Sequence, residues 1–244
     1  MKHMIPCGQD IQILNSMNNK FYLAASLICA DPLNLGKDID QLNAASLDFI
    51  HFDVMDGSFV SRYGLYPEIL VEVKKKSKIP VDVHMMVDDP EIYIDTFRNA
   101  GADFYNVHIE ACKQLSRVIR KIRDAGMRPG VAINPATPIS NLEWVISDIE
   151  MVVVMAINPG IVGHPFIPAM LQKITEIRDM AIKKGNHNLH IQVDGGVTPT
   201  TAGSMLSAGA DVLVCGTGTI FRPHEDTIVN KTNYLREIIA GYVI

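Results

Sequence analysis

The stretch "NAGADFYNVHI", residues 99–109, reads as a helix end, a glycine stop and a buried strand in eleven positions. It is echoed by "SAGADVLVCG" at 207–216, and more loosely by "NAASLDFIH" at 43–51. Glycine after a helical stretch suits the left-handed residue that closes a helix. The apolar run that follows suits a strand covered on both faces. The joint therefore recurs, as a βα unit would.

Working outward, eight short apolar runs can be counted: "YLAASLI", "DFIHFDV", "VDVHMMV", "DFYNVHI", "MRPGVAI", "MVVVMAI", "LHIQVD" and "DVLVCG". A segment of helical length follows each. In "DDPEIY" (88–93), Asp89 is expected to cap a helix that starts at Pro90, with Glu91 in its first turn. Eight such units in 244 residues predict an α/β fold, a single (β/α)8 TIM barrel. An open doubly wound sheet is the alternative, but no GxGxxG follows the first strand. Residues 1–20 are read as an N-terminal extension, and residues 21–244 as one catalytic domain.

Composition narrows the function. The chain is 48% hydrophobic and 20% charged, with a net charge of −5. The basic run "KKKSK" (74–78) reads as a solvated helix end, so no nucleic-acid or acidic-membrane partner is expected. Cys7, Cys29, Cys112 and Cys215 are scattered, as in a reduced cytoplasmic protein. "MKHMIPCGQDIQILNSMNNK" has no apolar core of a signal peptide, and "MVVVMAI" is too short to span a bilayer.

The polar residues fall where a barrel would use them. "HFDVMDG" (51–57) puts His51 and Asp53 on one face of the second strand, because strand side chains alternate. His84 lies near the end of the third strand, and Asp194 ends the seventh. Singly, each reads as a core histidine or a helix cap. Together, at the strand ends where barrels carry chemistry, two imidazoles and two carboxylates are a ligand set for one divalent first-row metal. Such an ion would compensate polar groups that a dry strand end could not otherwise hold. His108 is expected beside this set rather than in it. His190 begins its strand and belongs at the opposite end, while His3, His187 and His224 have no evident partner.

Glycine-bearing loops follow the last three strands: "NPGIVGHPF" (158–166), "DGGV" (194–197) and "CGTGT" (215–219). Almost no basic side chain accompanies them, which suggests a phosphate held by backbone N–H groups and the hydroxyl of Thr217 or Thr219. Met55, Met86 and Met155, each at a strand end, would line the reacting centre with apolar surface. A metal, two carboxylates and a phosphate grip suit proton abstraction beside a carbonyl, with Asp53 and Asp194 acting on opposite faces of one carbon.

These segments resemble the ribulose-phosphate 3-epimerase family. "ASLICAD", "DFIHFDVMDGSFV", "VDVHMMV", "VAINPATP", "VVVMAINPGIVGHPF", "IQVDGGV" and "AGADVLVCGTGTIF" follow its pattern in order, from about residue 22 to the end. The resemblance implies His51, Asp53, His84 and Asp194 as ligands of zinc, iron, manganese or cobalt, with Asp53 and Asp194 doubling as the acid/base pair. It also implies Ser26 in contact with a sugar-phosphate substrate, Gly160, Gly163, Gly195, Gly196 and Gly216 around its phosphate, and a homo-oligomer. Two loops that should border substrate depart from the pattern. "FVSR" brings Ser61 and Arg62 where the family usually has Pro and Asn, and Val162-Gly163-His164 replaces Gly-Gly-Gln. "PFIPAML" and "CGTGTIF" resemble the allulose-6-phosphate 3-epimerase branch. The implied reaction is D-ribulose 5-phosphate to D-xylulose 5-phosphate, with D-allulose 6-phosphate to D-fructose 6-phosphate as the alternative and a non-catalytic sugar-phosphate-binding barrel behind both. A decarboxylase-type barrel would want a lysine in "HFDVMDG", and there is none.

Overall fold

A computed structural model describes residues 21–160, 164–222 and 226–242. The N-terminal extension, Gly163 and His224 lie outside the described residues. The order of elements is β1 (Tyr22–Ser26), α1 (Leu35–Ala44), β2 (Phe49–Met55), α2 (Pro67–Lys76), β3 (Val81–Met86), α3 (Ile94–Ala100), β4 (Phe104–His108), α4 (Leu115–Asp124), β5 (Arg128–Ile133), β6 (Met151–Met155), α5 (Met170–Lys183), β7 (His190–Asp194), α6 (Ala202–Ser207), β8 (Val212–Cys215) and α7 (Ile228–Ala240). The eight strands pair in sequence order, all parallel, and β8 closes on β1. The fold is a TIM barrel, and each strand coincides with one of the eight apolar runs.

The recurring joint has a physical basis. Gly101 and Gly209 sit at φ 101° and 108°, where a side chain would strain the backbone. In the looser copy, Ser46 takes this role at φ 52°. The Gly101 N–H bonds back to Phe97, and the Asp103 N–H then bonds Val81 of the neighbouring strand. One left-handed residue thus turns a helix end into the next strand.

Two expectations are corrected. Asp89 does not cap through its side chain, and Pro90–Tyr93 is a 3-10 turn that precedes α3. The segment after β5 holds two short 3-10 turns, Ile139–Leu142 and Ile146–Asp148, in place of an α-helix. Pro138 stands just before the first of them, where its fixed φ and missing N–H suit the start of a turn.

Alternation along the strands sorts the core. Outward residues such as Leu23, Ile50, Phe52, Val83 and Val131 pack under the helices. In α4, Val118, Ile119 and Ile122 are the buried stripe at helical spacing. Inward, the N-terminal floor is filled by Tyr22, Phe49, Phe104, Met151 and Val212. Above it the lumen turns polar: His51, Asp53, Asp82, His84, Asn106, His108 and Gln192 are all buried. No helix among the described residues is long and apolar enough to cross a membrane.

Candidate metal and substrate site

The lumen residues converge at the C-terminal mouth. Register sets Asp53 beside His84 on neighbouring strands, and Asp194 arrives from β7. His51 Nε2 lies 3.3 Å from His84 Nδ1 and 3.2 Å from Asp53 Oδ1. His84 Nδ1 lies 3.4 Å from the same Asp53 oxygen. Asp194 Oδ2 is 3.7 Å from His51 Nε2 and 3.6 Å from His84 Nδ1.

Proton counting decides what this cluster can hold. Asp82, wholly buried, accepts from His51 Nδ1 at 2.8 Å, and its other oxygen accepts from the Gln192 amide. A neutral His51 therefore has its hydrogen on Nδ1 and a bare Nε2. His84 has its Nε2 against His108 at 2.9 Å, so its Nδ1 is the atom turned to the carboxylates. Four acceptor atoms then face one another with no hydrogen to share. In the absence of another cation, Asp82 and Asp53 overcome the opposing effect of burial and hold His51 well above its usual pKa. Burial opposes ionisation of Asp53 as well, yet His51 and His84 keep it ionised far below the ordinary range. A metal ion fits in place of the second His51 proton. Tetrahedral N and O donors about 2.0–2.2 Å from a centre are ~3.3–3.6 Å apart, close to the spacings here.

The outer contacts are as specific. Ser26 donates to Asp53 Oδ2 at 2.9 Å, leaving Oδ1 for the cluster. His108 meets Glu110 at 3.0 Å through Nδ1. Burial pushes the His108 imidazole down to about 4. Glu110 is held at about 2 against burial by His108, Thr137 and the Asn134 N–H.

A cavity of about 490 Å³ opens above the cluster. Asp53 and Asp194 form part of its wall, together with Ser26, Met55, Met86, Met155, Gly160, His164, Gly195, Gly196, Gly216 and Thr217. Gly195 and Gly196 take φ 96° and 66°, and a Cβ on either would fall 2.4 Å from Ile157 or 2.7 Å from Phe166. Only glycine lets this backbone turn beneath the cavity. Thr219 is a correction: it does not line the cavity, and its hydroxyl donates to the Gly216 carbonyl at 3.2 Å.

Several residues escaped the sequence reading. Asp82 and Gln192 share the inward face with His84 and Asp194 at spacing i, i+2, the signal that would have found them. Thr198, Thr200 and Thr201 add hydroxyls to the cavity wall. Arg62, expected from the sequence in a loop that borders substrate, lines it too, carried by a turn in which Asp56 bridges Tyr63 and the Gly57 N–H meets the Arg62 carbonyl at 3.1 Å. That turn crosses the mouth: Phe59 packs 4.7 Å from the His108 ring, and Val60 is buried against Gly160.

Residues 22–221 match the model of the ribulose-phosphate 3-epimerase family. The chain belongs to that family. It is 43% identical over 194 residues to ribulose-phosphate 3-epimerase of Bacillus subtilis, covering 80% of this chain and 89% of that one. Against the Synechocystis enzyme of the same name, identity is 37% over 227 residues, covering 92% and 94%. In fold alone it is similar to 3-hexulose-6-phosphate synthase from Salmonella typhimurium, with TM-score 0.68 and 16% identity over 91% of this chain and 99% of that one. An orotidine 5'-phosphate decarboxylase from Pyrococcus horikoshii has TM-score 0.65 at 14% identity, covering 90% and 99%. Barrel shape therefore does not separate epimerase from decarboxylase, and membership rests on sequence. The allulose branch gains no support from the epimerase relatives.

Proposed function

We propose that this epimerase interconverts D-ribulose 5-phosphate and D-xylulose 5-phosphate by a two-carboxylate proton transfer at C3. The observation that carries the reading is the cluster of His51, Asp53, His84 and Asp194, whose ligand atoms all lie within 4.8 Å of one another beneath the cavity. The family membership and the names of both relatives support the pentulose substrate.

The same four side chains would hold one divalent metal, drawn from zinc, iron, manganese or cobalt. When bound, it supplies a Lewis acid that polarises the C2 carbonyl and steadies negative charge on the enediolate. The protein does the rest. One of Asp53 and Asp194 starts as carboxylate and takes the C3 proton, and the C–H electron pair moves into the C2–C3 bond as the carbonyl oxygen gains charge. The other starts protonated and returns a proton to the opposite face of C3. The stereocentre inverts, with no oxidant or reductant consumed. Ser26 orients Asp53 by its hydrogen bond. Met55, Met86 and Met155 keep water from the reacting carbon. Gly195, Gly196 and Gly216, with Thr217, hold the phosphate, and His164 borders it.

The test is an assay in deuterated water on ribulose 5-phosphate and allulose 6-phosphate side by side. Deuterium should enter C3 of the pentulose phosphate with the higher kcat/KM, and chelation should stop it until metal is restored. Higher kcat/KM on the hexulose phosphate would reassign the substrate. Metal binding without exchange on either would leave a non-catalytic binding barrel.

A further inference from the structure

From His84 a line of hydrogen bonds runs away from the site to the barrel rim. His84 Nε2 meets His108 Nε2 at 2.9 Å, and His108 Nδ1 meets Glu110 Oε2 at 3.0 Å. Glu110 Oε1 accepts the Asn134 N–H at 2.9 Å and the Thr137 hydroxyl. Lys173 fastens that same loop, donating to the carbonyls of Asn134, Pro135 and Thr137 at 2.9, 2.7 and 2.8 Å. Both histidines are fully buried, and Phe59 packs over His108. Water is thus kept from competing for the bond between the two imidazoles.

A carboxylate has no proton to give, so the contact with Glu110 needs hydrogen on His108 Nδ1. A neutral imidazole carries one N–H. His108 Nε2 is then bare and accepts from His84, whose hydrogen must sit on Nε2. The lone pair of His84 is left on Nδ1, 3.4 Å from Asp53 and 3.6 Å from Asp194.

We infer that Glu110 is a positioning residue which, acting through His108, holds His84 in the one tautomer able to accept a cation at the mouth. This rests on the metal reading above, and gives a remote rim carboxylate control over it. The arrangement differs from that of His51, whose orienting carboxylate, Asp82, touches it directly inside the barrel. For His84 the carboxylate is one imidazole removed and belongs to a surface loop system. Without Glu110, His108 is free to carry its hydrogen on Nε2. Two N–H groups cannot face each other, so His84 would move its own hydrogen to Nδ1 and block the ligand position.

The experiment uses the full chain. Nitrogen-15 spectra of the histidine rings in metal-free enzyme should give the Nε2–H form for His84 and the Nδ1–H form for His108. Glu110→Ala should shift His84 toward Nδ1–H and weaken cobalt(II) binding, read by competition with a chelator, about 10–100-fold. In a His108→Phe background the same Glu110→Ala change should have no further effect on cobalt affinity, since its path to His84 is gone. A wild-type His84 already in the Nδ1–H form would overturn the inference. So would cobalt affinity in Glu110→Ala within twofold of wild type, or an undiminished Glu110→Ala effect in the His108→Phe background. A purely structural Glu110 would lower the thermal midpoint and leave the tautomers alone. Should Glu110→Ala fail to fold, the wild-type spectrum still decides. Failure of the wild type to bind cobalt would defeat the metal reading instead, and the tautomer spectrum would still judge the relay.

Discussion

Two histidines in this barrel sit beside aspartates at nearly the same distance. At the mouth, His51 Nδ1 is 2.8 Å from Asp82; at the floor, His190 Nδ1 is 3.0 Å from Asp211. The floor pair is closed. Asp211 also accepts the Ile191 N–H at 2.6 Å and lies 3.5 Å from the Arg178 guanidinium, while His190 packs edge-on against Tyr22. Donors and acceptors there match. At the mouth, with His51 neutral, acceptors converge and donors run out. The arginines repeat the contrast: Arg128, near the floor, stacks over Phe104 and pairs with Glu150 at 3.5 Å. Arg62 lines the cavity with no ion-pair partner among the described residues. Residue types alone do not mark a site; an unbalanced set of them does.

The strongest way to break this comparison is at the carboxylates. Asp53→Asn or Asp194→Asn should each lower kcat by about 10²–10⁴ or more, while Asp211→Asn stays within a few-fold of wild type. Equal losses at floor and mouth would mean that the mouth is not special. Next in size is Asp82→Ala, expected to weaken metal affinity about 10–100-fold by releasing His51. The matched floor change, Asp211→Asn, should leave metal affinity alone and cost about 1–3 kcal/mol in urea unfolding, as a charged acceptor is lost.

Arg62→Ala sharpens the contrast between the arginines. It should raise KM for the phosphorylated sugar by about tenfold, the worth of one hydrogen bond to a charged group, whereas Arg128→Ala leaves KM unchanged. Steady-state kinetics on both variants would decide. The last effect is on stability alone. Unfolded, His108 takes up a proton near 6.5, but in the fold burial keeps it neutral to about 4. Between those values the unfolded chain binds more protons, so stability should fall as pH drops from about 6.5 to 4, by at most about 1.4 kcal/mol per pH unit. His108→Phe should flatten that slope in urea titrations of metal-free protein.

The barrel was legible because its code is local. A left-handed glycine or Ser46 after each of three helices, and runs of Val, Ile and Phe between them, depend on neighbours along the chain. His51, Asp53, His84 and Asp194 were legible too, because alternation puts them on one strand face and strand ends are where a barrel gathers its groups. Reach across the barrel was not legible. Asp82 and Gln192 are 110 positions apart and meet inside the lumen. Phe59 read as a plain loop residue until the turn after β2 laid it on His108, whereas Arg62 was already expected in a loop bordering substrate. Thr219 read as a phosphate hydroxyl until the backbone turned it onto Gly216. Sequence alone thus determined which strands form and which side chains face inward, since both follow from steric periodicity. Only the closed barrel decided which inward groups touch, and therefore which atoms carry protons and which are left with lone pairs, because that balance is struck between residues the chain itself keeps far apart.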